Sequence, residues 1–229
     1  MALPSPHLHM LPVTARICAE AVGTAMLLAI VVGSGIMGET LADGNDAVAL
    51  LANCVATGAG LFVLVSVLGP VSGAHFNPAV TVVARIQGKL LTIEAAAYVV
   101  AQIVGAVAGV WVAHAMFGEP IVQFSSHVRG DPGLWLSEVI ATVGLLATIL
   151  GGGRSSPDRV PALVASWIVC AYWFTASTSF ANPAVTLARM LTDTFAGIQP
   201  IDAPAFVIVQ LLTAVVVGLV WRRWHPEPA

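Results

Sequence analysis

The fold of this chain is decided by a short phrase that occurs twice. Residues 77–81 read Asn-Pro-Ala-Val-Thr, and residues 182–186 repeat the same five letters. Asn is a preferred helix cap, because its side-chain oxygen accepts a hydrogen bond from an N–H of the first turn. Pro suits the first helical position, where no N–H is needed. The repeat therefore predicts two short helices, one opening with Asn77-Pro78-Ala79 and the other with Asn182-Pro183-Ala184.

The composition places these helices in a membrane. Of the 229 residues, 58% are hydrophobic and only 9% are charged, whereas a soluble domain carries about 25% charged residues. The net charge of -3 and the lack of a long basic run give no reason to expect a nucleic-acid partner. The cysteines form no C-x-x-C pair, and the sequence offers no catalytic constellation, metal site or cofactor motif. We therefore expect a membrane protein that is not an enzyme and needs no cofactor.

Six stretches are long enough, or nearly so, to cross a bilayer, which takes about 20 apolar residues. Two half-length apolar segments, 77–86 and 182–191, follow the second and fifth stretches and are too short to cross. The sequence thus predicts an all-α integral membrane protein with six transmembrane helices, two re-entrant half helices and an inverted repeat. The six expected spans are 14–37, 47–68, 92–117, 134–150, 160–176 and 203–224.

An internal repeat divides the chain into two halves. Glu20-x-x-x-Thr24 in the first span recurs as Glu138-x-x-x-Thr142 in the fourth. Each half holds three spans, so the second half must be inverted relative to the first, as in many transport proteins. If both termini are cytoplasmic, most Arg and Lys residues fall on the inner side, as the positive-inside rule requires. The expected units are a cytoplasmic tail (1–12), a first repeat (13–118), an external loop (119–133) and a second repeat (134–229).

The inverted repeat brings the two caps together near the middle of the membrane. With each Asn oxygen engaged in capping, we expect both side-chain NH2 groups to remain free and to point at the pathway beside two positive helix ends. Such a point suits a small neutral molecule with oxygen acceptors and repels cations. Irregular backbone before each cap is tolerated in a membrane only if it is buried or lines a wet cavity. The carbonyls expected to line it belong to Gly73, Ala74, His75, Thr178 and Phe180.

Five charged or titratable side chains lie near these segments in the sequence, and four of them have two interpretations each. Glu20 and Glu138 are predicted to accept backbone N–H bonds from the irregular stretches, and proton coupling is the alternative. Arg85 and Arg189 are predicted to meet the negative ends of the half helices. The alternative for Arg189 is that it supplies charge to the pathway. His75 is predicted to brace the first irregular stretch rather than to gate the pathway.

The twin caps and the phrase SGAHFNPAVT at residues 72–81 resemble the aquaporins and aquaglyceroporins, the major intrinsic proteins. The resemblance covers nearly the whole chain after its tail and implies a passive channel, assembled as a homotetramer with one pore per subunit, in a bacterial-type inner (plasma) membrane. It also implies a four-residue selectivity filter. Matching the family pattern places that filter at Thr57, at Cys170 (or Ala171 if the register slips), at Ser179 and at Val185.

Val185 marks a departure from the family, most members of which have arginine there. A filter of small residues without arginine predicts a wide, weakly polar, uncharged constriction. The pattern is similar to aquaglyceroporin-like channels associated with bacterial arsenic resistance, in which valine can replace the arginine. That resemblance implies transport of arsenite, which is neutral As(OH)3 at pH 7, and of methylated arsenicals. The alternatives are a glycerol or water facilitator, a proton-coupled secondary transporter and an anion-permeable channel.

Overall fold

The computed structural model describes residues 11–225, so residues 1–10 of the expected tail lie outside the described range. The described residues form helices and loops, with no β-strand among them. The helices are α1 (Val13–Ala42), α2 (Asp46–Ser72), α3 (Pro78–Ile86), α4 (Thr92–Phe117), α5 (Pro132–Ser155), α6 (Val160–Phe174), α7 (Pro183–Arg189) and α8 (Ala203–Trp224), with a 3-10 turn at Pro157–Arg159 before α6.

The all-α membrane fold predicted from the sequence is confirmed. Five helices, α1, α2, α4, α5 and α8, are long and apolar enough to cross a membrane. The fifth predicted span is shorter than expected, because α6 has 15 residues and ends at Phe174. The chain becomes extended at Thr175 (φ -103°, ψ 133°) and enters the irregular stretch before the second cap. The half helices α3 and α7 have 9 and 7 residues.

Helix contacts in the two halves follow the same scheme. α1 packs against α2 and α4, and α5 packs in the same way against α6 and α8. The half helices cross over between the halves, since α3 packs on α8 and α7 packs on α4. Each half helix is therefore held by long helices of both halves.

Two glycines allow α1 and α4 to approach each other closely. A Cβ added at Gly105 would overlap the carbonyl of Ala21, and one added at Gly109 would overlap the carbonyl of Ala25. Small residues at such contacts let helix backbones meet in membranes, where packing rather than the hydrophobic effect drives helix association.

We predict that Gly109→Ala destabilises the protein, because the added methyl group forces α1 and α4 apart. Overpacking of this kind costs about 1–3 kcal/mol. The control is Gly151→Ala in α5, where an added Cβ meets no atom within 4 Å. Thermal unfolding of the detergent-solubilised variants, followed by tryptophan fluorescence, should give a lower Tm for Gly109→Ala only. Equal Tm values for the two variants would contradict this account of the α1–α4 contact.

Candidate functional site

The two Asn-Pro-Ala turns cap the half helices in the same way. Asn77 and Asn182 are both extended, with φ of -157° and -156°. The side-chain oxygen of Asn77 accepts from the N–H of Ala79 at 2.8 Å. The oxygen of Asn182 accepts from Ala184 at 3.0 Å and from Val185 at 3.3 Å. Each cap satisfies N–H groups that would otherwise be unpaired at a buried helix end.

The caps also bind the two halves to each other. Asn77 Nδ2 donates to the carbonyl of Ala181 at 2.8 Å, and Asn182 Nδ2 donates to the carbonyl of Phe76 at 2.7 Å. The structure thus differs from the expectation of free NH2 groups, because one N–H of each amide is engaged across the interface between the halves. An amide nitrogen carries two hydrogens, so one donor per Asn remains. Both Asn side chains line the central cavity.

The irregular stretches before the caps have an unusual backbone. Ala74 and Phe76 are left-handed, with φ of 47° and 48°, and Ser179 and Ala181 repeat this pattern, with φ of 53° and 47°. Thr178 is left-handed as well, with φ of 60°. This conformation costs non-glycine residues roughly 1–2 kcal/mol each. The stretches therefore need strong partners elsewhere in the protein.

Glu20 stabilises the first irregular stretch from α1. Its fully buried carboxylate accepts from the N–H groups of His75 at 3.0 Å and Phe76 at 2.7 Å. It also accepts from the hydroxyl of Ser72 at 2.6 Å and from Gln102 Nε2 on α4 at 2.7 Å. Hydrogen bonds to an ionised acceptor are about twice as strong as those between neutral groups. One carboxylate thus anchors two consecutive backbone amides.

Glu138 does the same for the second stretch from α5. It is fully buried and accepts from the N–H groups of Phe180 at 2.9 Å and Ala181 at 2.7 Å. Gln210 Nε2 on α8 donates to it at 2.6 Å and to Thr186 Oγ1 on α7 at 3.0 Å. The carboxylate therefore connects α5, α8 and the stretch that leads into the second half helix.

The substitution Glu138→Gln should weaken the fold, because glutamine has one accepting oxygen and must turn a donor toward N–H groups. Leaving a buried donor unpaired costs about 1–3 kcal/mol. We expect a lower Tm in detergent and less folded protein on gel filtration. Glu119→Gln, in the loop after α4, is the control and should leave both unchanged. A Glu138→Gln protein as stable as the control would show that the carboxylate does not hold this stretch.

A central cavity of about 310 Å³ runs past both caps and is lined mainly by aliphatic side chains. Thr57, Ser179 and Val185, three of the residues predicted for the filter, lie on its wall and are 2%, 3% and 6% exposed. The hydroxyl of Tyr172 lies 3.4 Å from Thr57 Oγ1, which joins α6 to α2 at the wall. The aliphatic lining includes Leu27, Val31, Leu61, Leu145, Val164 and Ile168.

The expectation that Cys170 lines the cavity is wrong. Cys170 is exposed on the outer surface of α6, and its alternative, Ala171, is fully buried and does not line the cavity. The wall is formed instead by Ile168 and Tyr172, which lie one turn apart on the same face. Cys170 is two residues from each of them, about 200° around the helix, and therefore points outward.

The remaining predicted residues have mixed placements. Gly73, Ala74, His75 and Phe180 line the cavity, whereas Thr178 does not. The Pro and Ala of both turns are buried in the packing around the half helices and do not line the cavity; they are Pro78, Ala79, Pro183 and Ala184.

His75 is held in place within the first half. Its Nδ1 lies 3.1 Å from Thr81 Oγ1, and its ring meets Tyr98 edge-on, with ring centroids 5.5 Å apart. Both contacts brace the ring against α3 and α4.

Two charged residues that the sequence did not assign to the cavity line its wall. Arg16 and Lys89 lie on its wall, and Arg16 pairs with Glu94 at 2.5 Å. Arg189 also lines the wall and is only 4% exposed. Arg85, by contrast, is exposed and donates to Thr92 Oγ1 at 2.9 Å. The two arginines that the sequence treated as equivalent therefore lie in different environments.

The loops beyond α7 are tied to the loop after α4. Asp193 Oδ1 accepts from both the N–H and the hydroxyl of Ser126 at 2.8 Å, and Gln123 Oε1 accepts from the N–H of Asp193 at 2.9 Å. The bonds from Ser126, first its N–H and then its hydroxyl, lower the pKa of the Asp193 carboxyl. The carboxylate form holds this connection at neutral pH.

Comparison with known proteins agrees with the fold. Residues 7–156 match the family described as major intrinsic protein. The chain belongs to this family of aquaporins and aquaglyceroporins. It is therefore a multi-pass membrane channel protein and not an enzyme.

Individual relatives cover almost the full chain. It is 56% identical to aquaglyceroporin AqpS of Rhizobium meliloti (strain 1021) over 216 residues, which span 94% of this chain and 92% of that protein. It is 29% identical to aquaporin AqpM of Methanothermobacter marburgensis, over 95% of this chain and 100% of that protein. The X-ray structure of the aquaglyceroporin from Plasmodium falciparum has a TM-score of 0.74 at 21% identity and covers 92% of this chain and 96% of its own. This last likeness concerns the fold alone.

Proposed function

We propose that the channel passes small uncharged solutes larger than water, arsenite among them, through a filter that lacks the usual arginine. The observation that carries this proposal is the position of Val185. It follows the second Asn-Pro-Ala turn directly and lies on the cavity wall. An isopropyl group there donates no hydrogen bond and carries no charge, so it neither holds a water molecule nor excludes a bulkier neutral solute by polarity.

The chemistry of the wall supports a hydroxylated solute. Two asparagine amides provide donors among aliphatic side chains, and Thr57 and Ser179 add hydroxyl groups. A mostly apolar wall with a few polar groups orients a small polyol without binding it tightly, as rapid conduction requires. Arsenite presents three hydroxyl groups on a neutral centre and so resembles such a polyol. Methylated pentavalent arsenicals in their protonated, uncharged form are the next candidates, because they add a methyl group that an aliphatic wall accommodates.

Three alternative functions differ from this proposal in the side chains they require or in the solute they prefer. A proton-coupled transporter needs a titratable group free to exchange protons, but Glu20 and Glu138 are engaged with backbone and glutamine N–H donors. A glycerol or water facilitator remains the nearest alternative, since it shares the pathway and differs in the preferred solute. An anion channel would need the positive charges of Arg16 and Arg189 to attract anions into a cavity whose wall is otherwise mainly aliphatic.

We further propose a membrane location, a chain orientation and an oligomeric state, based on the sequence and the family. The basic residues of the inner loops support cytoplasmic termini and insertion in the plasma membrane. The two halves, 13–118 and 134–229, act as one pore-forming unit per subunit. The family resemblance supports a homotetramer.

The direct test is solute flux into proteoliposomes. Stopped-flow light scattering with water, glycerol and arsenite gradients, and arsenic uptake for methylarsenate, should show arsenite and glycerol flux above protein-free vesicles. A protonophore should leave these fluxes unchanged. Arsenite flux equal to that of empty vesicles would rule out the arsenic assignment, and flux abolished by the protonophore would support the coupled transporter.

Val185→Arg should narrow the solute range, because the longer cationic side chain occupies the wall and donates hydrogen bonds to water. We expect arsenite and methylarsenate fluxes to fall at least about tenfold, with a smaller effect on water, as expected for an added steric barrier of about 1.4 kcal/mol. Val185→Met, which adds length without charge, is the control and should retain more flux. Unchanged methylarsenate flux through folded Val185→Arg protein would show that residue 185 does not form the filter.

A further inference from the structure

The second half helix carries a cation on its cavity side. Arg189 lies four residues after Val185 and hence one turn further along the same face of α7. The residue at the same distance from the first cap is Ala84, which lines the cavity as well. The position therefore faces the cavity in both halves, and only the second half places a charge there.

The side chain of Arg189 is held rigidly. Its Nε donates to the carbonyl of Ala196, and its guanidinium carbon lies 3.4 Å from the centre of the Phe180 ring. Arg129 approaches the same ring at 5.1 Å. Phe180 is itself fixed, because Glu138 accepts its N–H at 2.9 Å. Cation–π stacking plus a hydrogen bond fixes the guanidinium plane and leaves its terminal nitrogens for other partners.

No carboxylate forms an ion pair with Arg189 within the part of the chain that the structure describes. An unpaired cation buried among apolar side chains is costly, and in membrane proteins such residues mark pathways for solutes or ions. A second observation points to the same place. The hydroxyl of Ser179 is buried, lines the cavity and has no hydrogen-bond partner. The wall near Val185 thus holds both a donor cation and an unsatisfied hydroxyl.

We propose that Arg189 is the charged residue of the selectivity filter in this channel. It lies one helical turn beyond position 185, where most of the family has arginine and this chain has valine. Its fixed charge repels protons and metal cations, and its free N–H groups donate to the oxygens of hydroxylated solutes as they pass Ser179. The inference rests on the proposed channel function and adds a residue to its filter.

The test compares three variants in proteoliposomes. Arg189→Met removes the charge at nearly constant length, Arg189→Lys keeps the charge, and Arg85→Met removes the exposed arginine of the first half helix as the matched control. Sodium leak and proton leak, the latter reported by an enclosed pH dye under a potassium–valinomycin potential, are measured in the same preparation as glycerol flux.

We expect Arg189→Met to raise cation leak at least about tenfold, because a fixed charge at contact distance is worth more than a factor of ten at the dielectric of a protein surface. Arg189→Lys should keep the cation leak within a few-fold of the wild type. Arg85→Met should give the same cation leak as the wild type. Leak in Arg189→Met equal to the wild type, with glycerol flux retained, would overturn the inference. Absent solute flux in the wild-type channel would instead contradict the proposed function.

Arg189→Gln covers the case in which Arg189→Met does not fold, since its amide retains a donor for the carbonyl of Ala196. Gel filtration and Tm identify folded protein before any flux is compared. Raised leak in folded Arg189→Gln supports the inference, and leak at the wild-type level contradicts it.

Discussion

Every backbone N–H and C=O inside a membrane must find a partner, and this requirement governs the structure around the two caps. The irregular stretches leave the helical pattern at membrane depth and adopt left-handed residues at Ala74, Phe76, Ser179 and Ala181. Two buried carboxylates, Glu20 and Glu138, satisfy the resulting N–H groups. Glu20 lies on α1 and Glu138 on α5, so the packing of these long helices positions both carboxylates. The carboxylates in turn position the irregular stretches beside the pathway.

The sequence predicted what depends on regular geometry. The phrase Asn-Pro-Ala-Val-Thr contains its own helix start, so α3 and α7 begin where the cap rules place them. The long apolar stretches predicted the spanning helices, because about 20 apolar residues in a helix are needed to cross a bilayer. The lining face of α6 could not be predicted by counting residues back from Asn182. The chain between them passes through left-handed residues without a constant angle per residue, and Tyr172 rather than Cys170 faces the cavity.

The halves are alike in scaffold and unlike in charge. Their helix contacts, caps and carboxylate networks correspond closely, yet Ala84 in one half corresponds to Arg189 in the other. The sequence carried a signal for this difference, since Val185 and Arg189 are four residues apart and must share a face. The end-of-helix interpretation overlooked that spacing. The inverted repeat thus gives the two halves the same backbone arrangement. Single residue differences on the cavity-facing sides, such as Ala84 against Arg189, make the two halves of the pathway chemically different.

The reciprocal bonds between the caps have a consequence for biogenesis. Asn77 donates to Ala181, a residue synthesised about a hundred positions later, and Asn182 donates back to Phe76. A ribosome-bound chain that ends after α4 has no acceptor for the first amide and no α8 against which α3 can pack. The first half helix therefore reaches its final position only after the second half has been inserted. The pathway is therefore completed late in synthesis, when each cap has met its acceptor in the other half.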